Sequence, residues 1–205
     1  MIDATRCRRL NDRDQRRGRY VLYWMQQSQR GSGNPALEYA IDVANRQRLP
    51  VVVAFGLMDD YPDANLRHYR FMLEGLQEVE HTLVGRGIKF VIRRGAPAGV
   101  AVALAEDAAL VVCDRGYLRH QKAWRTEVAE RIGCALVQVE GDVVVPVEVA
   151  SHKAEVAART LRPKLHKVWD EYLAPSTTQR SRKTPSICAS RARSTLPRST
   201  ACARG

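Results

Sequence analysis

The stretch RYVLYWMQQSQRGSGNPALEYAIDVANRQRLPVVVAFGL (residues 19–57) decides the fold. In RYVLYWM, Val21, Tyr23 and Met25 alternate with Leu22 and Trp24, so both faces of an extended segment are apolar. A central parallel strand covered on both sides requires that pattern. The polar loop QQSQRGSG follows, and Asn34 then stands as an N-cap with Pro35 at the first helical position. Leu37, Ala40, Ile41 and Ala44 fall on one helical stripe. PVVVAFGL (50–57) is a second buried strand, completing one strand–helix–strand unit.

The unit repeats outward. After the loop MDDYPDA, Asn65 caps a long helix whose stripe is Leu66, Tyr69, Met72, Leu73, Leu76, Val79 and Leu83. IKFVIRR (88–94), ALVVC (109–113) and ALVQVE (135–140) read as further strands. Between them lie an alanine-rich helix opened by Gly95 and Pro97 and an amphipathic helix over 119–132. Strands alternating with helices over short loops predict an α/β fold with a doubly wound, five-stranded parallel sheet. The expected organisation is a flexible Arg-rich arm at 1–18, the α/β domain at 19–150, linker helices at 151–173 and a disordered basic tail at 174–205. Pro163 is expected to split the linker into two helices meeting there.

Charge divides unevenly. Seven of the 33 cations and none of the 22 acids fall in 174–205, so the formal charge of +11 leaves +4 for residues 1–173. The ordered part is only mildly basic, and the overall charge says little about what it binds. The tail, rich in Ser, Thr, Arg, Ala and Pro, holds only Ile187 and Leu196 as large aliphatics and cannot bury a core. Weak, non-specific contact with nucleic acid is the partner class it fits. The five cysteines (Cys7, Cys113, Cys134, Cys188 and Cys202) form no CxxC and no zinc spacing, which suits reduced thiols in a reducing compartment. With no apolar leader, and with runs such as Ala96–Ala105 too short to cross a bilayer, the expected location is cytoplasmic and no membrane partner is expected.

In open parallel sheets ligands sit beyond the carboxyl ends of the strands, near the point where strand order reverses. That directs attention to loops 25–34, 57–64, 95–97 and 113–118. Gly31, Gly33 and Ala36 make a formal G-x-G-x-x-A, but the first glycine stands six residues past the strand and Pro35 removes an N–H from the phosphate cradle. Asp59, Asp60 and Asp63 offer hard oxygen ligands for Mg²⁺, or else are loop carboxylates capping the next helix. Asp114 and Arg115 stand at a strand end beside Gly116, as a polar pocket wall or as a solvated turn. The histidines His68, His81, His120, His152 and His166 form no HxxH or HExxH pattern, and no Walker loop or nucleophile elbow occurs. The residues alone thus give a ligand-binding α/β scaffold without a self-sufficient catalytic set.

Six segments taken together resemble a known family: RYVLYWMQQSQR (19–30), ALEYAIDVAN (36–45), VVVAFGLMDDYPDANLRHYRFMLEGL (51–76), CDRGYLRHQKAWR (113–125), VEGDVVVPVEVAS (139–151) and AARTLRPKLHKVWDEYL (157–173). In register from about Arg6 to Leu173, they resemble the amino-terminal, Rossmann-like α/β domain of class II cyclobutane pyrimidine dimer (deoxyribodipyrimidine) photolyases, within the photolyase/cryptochrome family. The resemblance implies light-dependent repair of pyrimidine dimers in DNA. In that reaction a reduced FAD gives an electron to the dimer, and an antenna chromophore such as a deazaflavin feeds it excitation. It also implies that the α/β domain is the antenna module, whereas FAD and most DNA contacts belong to a helical carboxyl-terminal domain. That domain should begin near Ala174, where the resemblance ends, so the chain is expected to be a truncated or frameshifted product unable to catalyse alone. Trp24, Trp124 and Trp169 inherit no electron-relay role and are assigned to packing. Strand-end geometry and family analogy place an antenna pocket at Trp24, Met25, Gln26, Asp59, Tyr61, Asp114 and Arg115. The alternatives are a stand-alone nucleotide- or pigment-binding module whose basic tail attaches to nucleic acid, and a dinucleotide oxidoreductase using Gly31 and Gly33.

Overall fold

A computed structural model describes residues 2–173 and 178–184. The strands are β1 (Cys7–Arg9), β2 (Tyr20–Trp24), β3 (Val51–Leu57), β4 (Lys89–Arg94), β5 (Ala108–Asp114) and β6 (Ala135–Val139). The helices are α1 (Pro35–Gln47), α2 (Leu66–Gly85), α3 (Pro97–Ala105), α4 (Arg119–Arg131), α5 (Val147–Ala150) and α6 (Ala158–Tyr172). The sheet order is β1-β6-β5-β2-β3-β4, parallel throughout except for β1. Strand order reverses between β2 and β5, so the crevice expected of a doubly wound sheet opens beyond Trp24 and Asp114. Among the described residues, no helix is long and apolar enough to cross a membrane.

Two cores follow from the alternation of side chains along the strands. Val21, Tyr23 and Met25 pack with Leu37, Ile41, Leu76 and Leu83 under α1 and α2. Leu22 and Trp24 point the other way, onto Ala101, Leu104 and Val128 of α3 and α4. Asn34 and Asn65 cap α1 and α2 by accepting from the Leu37 amide and from the Arg67 and His68 amides. Gly56 lets β3 run against the start of α3, because a Cβ there would stand 2.6 Å from Pro97 Cα. Gly56→Ala is therefore expected to lower stability by about 1–3 kcal/mol through overpacking, read from thermal or urea unfolding.

Four expectations change. The sheet has six strands rather than five, because the arm at 1–18 is not free: β1 pairs antiparallel with β6, Cys7 opposite Val139 and Arg9 opposite Val137. The arm also docks through side chains: Arg16 donates to the carbonyls of Ala105, Glu106 and Ala108, and Asn11 bridges Ala129 and the start of β6. A three-residue strand held by polar side chains leaves no hydrophobic period to detect. The linker is one helix, α6, with Pro163 inside it. Proline there deletes a single amide donor, and half-buried Leu161, Leu165 and Tyr172 stand on both sides of it. Leu66, read as part of the α2 core stripe, is exposed, because the first turns of α2 project past the edge of the core. Finally, residues 178–184, counted with the tail, lie along α1 and the end of α2. The disorder expected for 174–177 and 185–205 lies outside the described residues.

Candidate functional site

The carboxyl ends of β2 and β3, the first turns of α2 and one face of α4 enclose a cleft of about 410 Å³. From the β2 end come Gln26, Gln27 and Gln29; from β3 and its loop, Phe55 to Met58, Tyr61 and Ala64. Helix α2 contributes His68, Tyr69, Phe71 and Met72, and α4 adds Gln121 and Trp124. No carboxylate, cysteine, lysine or arginine belongs to this lining. Aromatic rings order its mouth: Tyr61 and His120 meet edge-on at 5.4 Å between centroids, His120 and Trp124 at 4.9 Å. The Tyr61 hydroxyl lies 3.1 Å from His120 Nε2, and Tyr69 Oη accepts from the Tyr61 amide. Amide side chains brace the floor. Gln26 Oε1 accepts from the Gly56 amide at 2.9 Å, and Gln121 donates to Gln27 while accepting from the Leu118 amide.

The loop carrying those glutamines is held by a buried carboxylate. Asp114 ends β5 and accepts from the Tyr23 hydroxyl at 2.7 Å and from the amides of Gln26, Gln27 and Ser28 at 3.1–3.3 Å. Asn34 donates to Tyr23 Oη and to the Ser28 carbonyl while capping α1, so one network ties β2, β5, the loop and the helix together. Burial pushes the Asp114 carboxyl up to about 6, against the pull of the hydroxyl and amide donors in the other direction. Burial also raises the neighbouring Cys113 thiol well above its ordinary range, leaving it inert at neutral pH.

The structure disperses the seven residues placed at the site from sequence. Gln26 and Tyr61 line the cleft. Trp24 and Asp114 border an adjoining cavity of about 20 Å³ that shares Gln26, Gln27, Gln121 and Trp124 with the cleft. Trp24 Nε1 is buried there with no hydrogen-bond partner among the described residues. Met25 is fully buried in the opposite core, because consecutive strand residues face opposite ways. Asp59 is exposed and paired with Arg94 at 2.6–2.9 Å, which holds its carboxyl below the usual range. Arg115 turns to Glu140 and Glu148 at 3.1 and 3.2 Å, fastening the 140–148 segment on the far side of Asp114. The residues that sequence reasoning missed lie on the inner side of the α2 start and on α4. Tyr69 and Met72 were legible as an apolar stripe but read as core. Gln121 and Trp124 come from an element whose place beside β2 only the sheet order reveals.

An uncharged lining of rings and amides suits a planar, weakly polar molecule held by stacking and a few hydrogen bonds. Residues 21–184 match the family described as DNA photolyase. The chain belongs to that family. Curated relatives named deoxyribodipyrimidine photo-lyase share 49% identity over 176 residues in Methanothermobacter thermautotrophicus and 38% over 157 residues in Arabidopsis thaliana. The first alignment covers 85% of this chain and 40% of that photolyase, the second 75% and 32%. The chain thus spans two-fifths or less of the length of these photolyases. Among solved structures, the photolyase from Sulfolobus tokodaii superposes with a TM-score of 0.65 at 15% identity, covering 78% of this chain and 37% of that one. A class III photolyase from Agrobacterium tumefaciens gives 0.61 at 18%, covering 82% and 36%. These likenesses show that the fold is the Rossmann-like amino-terminal domain of photolyases. The family match also runs past Leu173 to residue 184, so the resemblance extends beyond the boundary drawn from sequence and takes in the docked segment at 178–184.

Proposed function

We propose that this chain is the light-collecting module of a class II cyclobutane pyrimidine dimer photolyase, with a planar antenna pigment such as a deazaflavin in the cleft. The observation that carries the reading is the lining itself: five aromatic side chains (Phe55, Tyr61, Tyr69, Phe71, Trp124) and amide groups around about 410 Å³, within the range of small-molecule sites. The six segments in register from 19 to 173 support the class II assignment. The name of the Sulfolobus tokodaii structure speaks of two FAD molecules and a novel light-harvesting cofactor, so an antenna role has a counterpart among photolyases of this fold.

Catalytic FAD does not fit this cleft. Its diphosphate calls for cations or free backbone amides, and the lining holds no Arg or Lys, while the Arg67 and His68 amides at the α2 start are taken by Asn65. FAD and the DNA carrying pyrimidine dimers are assigned to the part of the family's chain that this one does not span. When bound, the pigment absorbs near-ultraviolet or blue light and passes the excitation to that FAD. The chain's own work is positional: Gln26, fixed on the Gly56 amide, and Gln121, fixed on Gln27, hold polar groups at the floor. Tyr61 and Trp124 would supply ring faces on which the pigment stacks.

The test is titration of the purified chain with a 5-deazaflavin, followed by quenching of tryptophan fluorescence. One site is expected, and Tyr61→Ala is expected to weaken it about 3–10-fold through loss of one ring contact, with the melting temperature unchanged because Tyr61 is exposed. Saturable binding that Tyr61→Ala leaves untouched would place the pigment elsewhere.

A further inference from the structure

The base of α1 and the end of α2 hold a second recognition site, remote from the cleft. Glu38, on the first turn of α1, and Arg86, just past α2, form an ion pair at 2.7 Å with side chains 2% and 7% exposed. Arg86 also donates to the Gly31 carbonyl at 2.6 Å. A pair this deep needs every remaining donor and acceptor satisfied. Here the partner is the segment at 178–184: Arg86 Nε donates to the Gln179 carbonyl at 2.8 Å, and the Gln179 amide donates to Glu38 Oε2 at 2.9 Å. The Arg86 carbonyl accepts from the Ser181 amide at 3.2 Å. About two helical turns beyond Glu38 on α1, Asn45 clamps the next peptide unit, donating to the Arg180 carbonyl at 3.0 Å and accepting from the Arg182 amide at 2.8 Å.

Every one of these bonds reaches the segment through its main chain. The side chains of Arg180 and Arg182 point to solvent, and the Ser181 hydroxyl turns back to the Lys183 carbonyl within the segment itself. We infer that Glu38, Arg86 and Asn45 form a receptor for a peptide main chain, read without regard to side chains, which anchors the polypeptide where it leaves the α/β module. The ligand class is a peptide backbone offering alternating carbonyl and amide groups, as in strand-addition interfaces where main-chain bonds give the affinity. Here side chains of the body replace the neighbouring strand. Residues 178–184 lie inside the family match, although their composition reads as tail.

Hydrogen exchange on the full chain tests this, because backbone recognition and side-chain recognition predict opposite results for two variants. In the unaltered protein the amides of Gln179, Ser181 and Arg182 are expected to exchange at least about tenfold more slowly than in the free peptide 178–184. Replacing Gln179, Arg180, Ser181 and Arg182 together by alanine leaves every bond to the body in place, and protection is expected to stay within about twofold. Gln179→Pro removes one amide donor without touching the receptor, and protection at 181 and 182 is expected to fall to the free-peptide level. A circular-dichroism melt checks that both variants keep the α/β fold. Loss of protection in the alanine variant, retention of it in the proline variant, or free-peptide exchange in the unaltered chain would each overturn the assignment.

Discussion

Asp114→Ala is expected to cost about 4 kcal/mol of folding stability, a large fraction of the roughly 5–15 kcal/mol that holds a domain folded. The carboxylate is the shared acceptor for the Tyr23 hydroxyl and three consecutive amides, Gln26 to Ser28, at the turning point of strand order. Removing it leaves several donors inside the protein with no water to replace the lost oxygen. Urea unfolding reads the loss directly, as a midpoint lowered by about 2 M for a slope near 2 kcal/mol/M. The deazaflavin affinity of the folded fraction should fall as well, since the same loop carries three of the cleft's glutamines. A midpoint within about 0.3 M of the parent would mean that the loop holds itself in place.

The same carboxyl sets a pH signature. Burial raises it from 3.8 to about 6 in the folded protein, so the folded state holds this proton more tightly than the unfolded chain does. Its contribution to stability is therefore complete below pH ~4 and is lost as pH rises through about 6, on the order of 3 kcal/mol in all. Asp114→Asn has no such proton. The urea midpoint of the parent relative to the asparagine variant should decline between pH 4 and 6 and then level off. Parallel curves would show that the carboxyl titrates in its ordinary range.

The second large effect is expected at Glu38. Glu38→Ala strands the Arg86 guanidinium, 7% exposed, and leaves the Gln179 amide without its acceptor, at a cost of about 3–5 kcal/mol. Converting both members of the pair, Glu38→Leu with Arg86→Met, removes the stranded charge and should recover much of that loss, because apolar replacement of a whole buried pair is often neutral or favourable. Chemical denaturation of the two variants distinguishes a charge that needs its partner from one that merely fills space. Equal losses in the single and double variants would favour the latter.

What could be read beforehand followed from periodicity and caps. RYVLYWM and PVVVAFGL announce buried parallel strands, and Asn34-Pro35 and Asn65 mark the helix starts that the structure has. The missing pieces have a common physical cause: they are held by polar groups, which leave no period. Strand β1 is three residues long and owes its place to the β6 edge. Asp114 looks like a loop carboxylate in sequence, and only the approach of Tyr23 and residues 26–28 makes it the anchor of that loop. Residues 178–184 are silent for the same reason, since backbone recognition writes nothing into side chains. At the cleft, strand-end geometry and family analogy put Trp24 and Met25 together, yet strand alternation sends them to opposite cores. Gln121 and Trp124 reach the cleft from α4, some sixty residues past the β3 end in the chain.

The two rims of the sheet are finished differently, and this bears on how the molecule behaves in company. On one rim, β1 covers β6 and carries Arg8 and Arg9, both exposed and paired with Glu148 and Asp14. On the other, β4 carries Lys89, Arg93 and Arg94 within six residues. Charged side chains along a rim discourage a neighbouring copy from adding its own strand, a common route into fibrils. The parallel ladder between them, Val- and Ala-rich and otherwise adhesive, thus meets a neighbour only across charge, which disfavours self-templating growth.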